Sequence, residues 1–160
     1  MPHTFVTRAR LLAASATPDA PGTALFATLL AAHDHPSLLG LSPEQFALLV
    51  SRHFGATQPL RASLVIRSQE QARFVSALVV FLLSHVRAST AADMADAACL
   101  ASIVAHACLR PDHLWRDLGL SGRDEITDML TRYFPALVAR NIDEMRWEDS
   151  LRENSRCPLD

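Results

Sequence analysis

Lysine is absent from this 160-residue chain, and all fifteen of its basic residues are arginine. That bias carries no mechanistic weight, because seventeen acidic residues bring the net charge to only −2 with His neutral. A chain so balanced has no basic field to draw in nucleic acid or anionic lipid, and neither is expected as a partner. Glycine is scarce, with five residues, and no glycine-rich loop offers a cradle for a phosphate or an oxyanion. Cysteine is scarcer still. Cys99, Cys108 and Cys157 form no short-spaced pair, so free thiols are expected and a disulfide framework is not. Long apolar runs are missing as well. The longest, Phe74 to Leu83, is broken by Ser76 and falls far short of the roughly 20 residues that a membrane span needs. The first twenty residues carry two arginines and too brief an apolar stretch for a signal peptide, which makes the cytoplasm the expected compartment.

What is present reads as a globule. Apolar residues make up 49% of the chain and charged residues 20%, a balance that excludes a disordered polymer. The length suits one domain with one core, so a single helical domain over 1–160 is expected.

Helical spacing recurs along the chain. Leu11 and Leu12 mark a first short helix, and Thr17-Pro18-Asp19-Ala20-Pro21-Gly22 is expected to stop it. Leu25, Phe26, Leu29 and Leu30 share one face of a second, from Thr23 to Ala32. Ser42-Pro43-Glu44-Gln45 is a start signal, with serine as cap, proline in the first helical position and Gln45 completing a capping box. The helix it opens buries Phe46, Leu49, Val50 and Phe54. Ser68 to Gln71 repeats that box before a long helix with Phe74, Leu78, Phe81 and Leu82 on one stripe. An alanine-rich helix follows from Ala91 to Leu109. Pro111 opens a short helix that Gly119 ends, Ser121 is expected to cap the next, and Pro135 starts a last one reaching past Trp147. Only Ala62 to Ile66 hints at strand alternation. The predicted fold is all-α, a multi-helix bundle of about seven helices.

Three groupings could carry chemistry. On the alanine-rich helix Asp96, Cys99, Ile103 and His106 follow offsets that put them on one face. All but Ile103 are competent metal ligands, but Cys99 and His106 are separated by about 10 Å of axial rise, too far to share an ion on an unbroken helix. The competing reading is a small buried thiol and a hydrogen-bonded histidine. His33 and His35 can also share a metal, with Asp34 as an oxygen ligand, or belong to a solvated turn. In Cys108-Leu-Arg-Pro-Asp-His113 the chain turns between helices, so thiol and imidazole could converge across the turn. Such a pair is nucleophilic, metal-binding or merely structural. Leu114, Trp115, Phe134 and Trp147 are expected to anchor the C-terminal helices in the core.

These segments together carry a resemblance. ACLRPDHLWRDLGL, RYFPALVARN and EMRW, with LLGLSPEQFALLVSRHF upstream, are similar to the NifQ family of nitrogen-fixation proteins, over about residues 38–147. Residues 1–37 then read as a helical extension and 148–160 as a divergent tail. The resemblance implies a protein that handles molybdenum bound in an iron–sulfur cluster and passes it to the proteins that assemble the nitrogenase iron–molybdenum cofactor. It implies a metal carrier and not a turnover enzyme. Thiolates hold soft metal and sulfide, and ligand exchange hands the metal on.

One departure bears on the ligands. Family members continue past the Met-x-Trp element through a lysine- and aromatic-rich helix into a tail with four closely spaced cysteines, the cluster ligands that the resemblance implies. Here Met145-Arg146-Trp147 is followed by the acidic Glu148-Asp149-Ser150, and the four-cysteine motif is replaced by the single Cys157. The expected metal ligands are therefore Cys108, His113 and Cys157, with Cys99 and His106 behind them. The alternative is a helical interaction module of the same family that holds no cluster. A Cys–His enzyme built on Cys108 ranks last.

Overall fold

Local chemistry sets most helix starts. Ser42 and Gln45 form the reciprocal box: the Gln45 amide donates to Ser42 Oγ at 3.1 Å, and the Ser42 amide donates to Gln45 Oε1 at 3.1 Å. Both satisfy donors that a helix N-terminus leaves without partners. Ser68 Oγ accepts from the Gln71 amide, and Thr90 Oγ1 accepts from the Asp93 amide, each at 3.1 Å. The computed structural model describes residues 8–15, 21–32, 40–54, 68–87, 90–109 and 114–140. Among these residues there are eight helices and no strand, so the all-α expectation holds.

The chain divides into two compact units, Met1–Val65 and Ile66–Asp160. The first contains α1 (Arg8–Ala14), α2 (Pro21–Ala31) and α3 (Pro43–Phe54), each packed on the other two. Its core gathers Leu11, Phe26, Leu29, Leu30, Leu41, Phe46, Leu49, Val50 and Phe54, which includes every residue expected on the α3 stripe. Leu12 and Leu25 are only half-buried. The start of α2 differs from expectation: Pro21 and Gly22 lie inside the helix. Proline lacks the amide proton that the first helical position leaves unbonded anyway, and its fixed φ suits that position, so Pro21 begins this helix.

The second unit contains α4 (Gln69–Leu83), α5 (Ala91–Ala107), α6 (Leu114–Asp117), α7 (Arg123–Tyr133) and α8 (Pro135–Arg140). α4 packs on α5, α5 on α6, α6 on α7 and α7 on α8. Leu78 and Leu82 of α4 are fully buried, while Phe74 and Phe81 are half-buried. α6 ends as expected at Gly119, whose φ of 77° is in the left-handed region that costs glycine least. Its amide donates to the Arg116 carbonyl at 3.1 Å and the Leu120 amide to that of Trp115 at 2.8 Å, the paired bonds of a Schellman stop.

α7 departs from the expected cap. Its N-cap is Gly122, which has no side chain to offer, and Ser121 instead donates its amide to Glu125 Oε2 at 3.0 Å. The glutamate thus reaches back to the residue before the cap. The Ala62–Ile66 stretch and the reach of the last helix past Arg140 lie outside the described residues.

Candidate metal centre

α5 supplies most of the candidate ligands that can be placed. Cys99 lies mid-helix and Cys108 follows the last helical residue, where its amide donates to the Val104 carbonyl at 3.0 Å. Neither is in a disulfide, and each is 3% exposed. Nine residues of helix separate them, about 13 Å of rise and half a turn in azimuth, so they sit on opposite sides of α5 and do not converge. Leu100, Ile103, Val104 and Leu114 are buried in the same unit, and so are the polar Asp96 and Ser102. A thiol so enclosed behaves as a small hydrophobe, and exposed, electropositive sites are where reactive thiols are found.

His106, in the last turn of α5, is half-buried. Its Nδ1 lies 2.7 Å from the Ser102 carbonyl oxygen. A carbonyl only accepts, so Nδ1 carries a proton, and in the neutral ring the lone pair lies on Nε2. Metal-binding histidines use the same device to fix their tautomer. His85, in the turn just after α4, makes an equivalent bond to the Phe81 carbonyl at 2.8 Å, so a histidine four residues beyond a helical carbonyl adopts this geometry without any metal requirement. The bond prepares a ligand; it does not by itself mark a site.

Asp96, the first residue of the expected ligand face, is 8% exposed. Its charge is felt at Tyr133, whose pKa is pushed up from 10.0 to about 12, first by burial, then by the Asp96 carboxylate and less by Asp93, with Arg132 opposing. Tyr133 escaped the sequence reading as a chemical group. Its signal was available, since Ile126, Met129, Leu130 and Tyr133 recur at helical spacing and all four are buried.

No group of three or more His, Cys, Asp or Glu side chains among the described residues is placed to hold a metal ion. Cys99, Cys108 and His106 are therefore not one site on α5, as the axial rise required. A cubane iron–sulfur cluster is held by about four thiolates, and the two described cysteines, on opposite sides of one helix, do not fit it. His113 and Cys157 lie outside the described residues, as do His33 and His35. Of the expected anchors, Leu114 and Phe134 are buried. Trp115 is half-buried, with the Arg116 guanidinium 5.3 Å from its ring centroid, and Trp147 lies outside the described residues.

The family model NifQ matches residues 22–153 of this chain. The chain belongs to the NifQ family. It is 37% identical over 125 residues to Protein NifQ of Azotobacter vinelandii, an alignment covering 71% of this chain and 62% of that protein. It is 36% identical over 110 residues to a Protein NifQ homolog of Sinorhizobium fredii, covering 68% and 46% respectively. A Protein NifQ of Klebsiella pneumoniae is 43% identical over 53 residues, 33% of this chain and 32% of its own length. The chain thus spans about half to three-fifths of the length of the first two NifQ relatives it matches. No solved structure matches it. The NifQ match takes in the 38–147 region, extends past it at both ends, and covers α2 to α8 apart from Pro21.

Proposed function

We propose that this chain is a molybdenum carrier of the NifQ type, working in the cytoplasm and delivering metal to the proteins that assemble the nitrogenase iron–molybdenum cofactor. The observation that carries the reading is the NifQ match over residues 22–153. Molybdenum and the iron–sulfur unit that holds it are cargo in this scheme, not a resident catalytic group, so the protein turns over no substrate. Soft thiolate and imidazole ligands suit such cargo, because a partner with better-placed ligands can take it by exchange. Cys108, His113 and Cys157 form the proposed ligand set. Cys99 is a lesser candidate, and so is His106, whose lone pair in the neutral ring lies on Nε2.

A second reading has its own support. Cys99 and Cys108, the two cysteines among the described residues, lie on opposite sides of α5, whereas a cubane is held by about four thiolates. On that count the chain is a helical interaction module of the NifQ family that docks on assembly proteins without carrying a cluster.

Elemental analysis of anaerobically purified protein for Mo, Fe and Zn, with a visible absorption spectrum, separates the two. The carrier reading expects bound Mo and Fe with charge-transfer absorption, and loss of at least half of both in Cys157→Ala and in Cys108→Ser, with helical circular dichroism retained. Metal content indifferent to both changes removes those thiols from the site. A colourless, metal-free protein that still co-purifies with cofactor-assembly proteins supports the interaction module in place of the carrier.

A further inference from the structure

We draw no further inference here: the strongest candidate, the outward face of α4 around Val80, which is 69% exposed on the apolar C-terminal half of that helix, is an unpartnered apolar surface, and nothing in the structure shows what covers it.

Discussion

α5 and α7 belong to the same unit and solve opposite problems. From Asp96 to Cys108 nearly every residue of α5 is buried, and only Ala98 and His106 are half-exposed. α7 buries a single stripe, Ile126, Met129, Leu130 and Tyr133, and turns Asp124, Glu125, Asp128 and Arg132 to water. A helix apolar on all sides is enclosed on all sides, whereas an amphipathic one lies at the surface. Alanine makes the enclosure of α5 possible. Ala97, Ala101 and Ala105 are fully buried at intervals of four, and a methyl side chain lets neighbouring backbones approach closely. The difference bears directly on the ligand candidates. On a surface helix, Asp96, Cys99 and His106 would form a face that a metal could reach. On α5 the same spacing places Cys99 in the core.

Substitutions at matched positions break or sharpen this contrast. The largest effect is expected for Leu100→Ala, which empties a fully buried site in α5 and should cost about 2–5 kcal/mol in urea denaturation. A loss below about 1 kcal/mol would mean that α5 is not enclosed as described. Ala101→Leu tests the enclosure from the other direction. Extra methylenes have no room beside a fully buried alanine, and overpacking of about 1–3 kcal/mol is expected. If this variant were as stable as the parent, there would be a void beside α5.

Tyr133 of α7 is expected to make stability depend on pH. The fold favours the neutral Tyr133 phenol, so its contribution is complete below the ordinary value of 10.0 and is lost as pH rises toward about 12. The urea midpoint should therefore fall between pH 10 and 12 in the parent and fall less in Tyr133→Phe. Because this is the chain's one tyrosine, ultraviolet absorbance reports its ionisation alone. An equal fall in both proteins would remove Tyr133 as the cause. The smallest effect belongs to the outer face of α7: Asp128→Ala, at an exposed position, should change stability by less than about 0.5 kcal/mol. A larger loss by the same denaturation assay would place something against that face.

The candidate site was legible only in part. The axial rise between Cys99 and His106 was enough to separate them as joint ligands, and the opposite azimuths of Cys99 and Cys108 followed from nine-residue spacing. The Ser102 carbonyl as the partner of His106 is also a four-residue relation that the sequence contained. The electrostatic effect of Asp96 on Tyr133 was not, because it links residues from α5 and α7, and no local spacing relates two helices. Capping shows the same limit. The Ser42 box formed as expected, but Ser121 lost its cap role once the Schellman stop at Gly119 and the reach of Glu125 moved the start of α7 to Gly122.

By itself the sequence determined that this protein is helical, where α3, α4, α5 and α8 begin, and that its motifs are those of NifQ. Capping and helical spacing are interactions between residues three or four apart, so they are written in the order of the chain. Only the tertiary structure decided which helix would be enclosed and which surface-bound. An alanine-rich segment whose apolar residues lie on every side has no preferred face of its own, and its burial comes from neighbours that approach from elsewhere in the chain. That enclosure, more than residue type, buries Cys99 and Cys108 on opposite sides of α5.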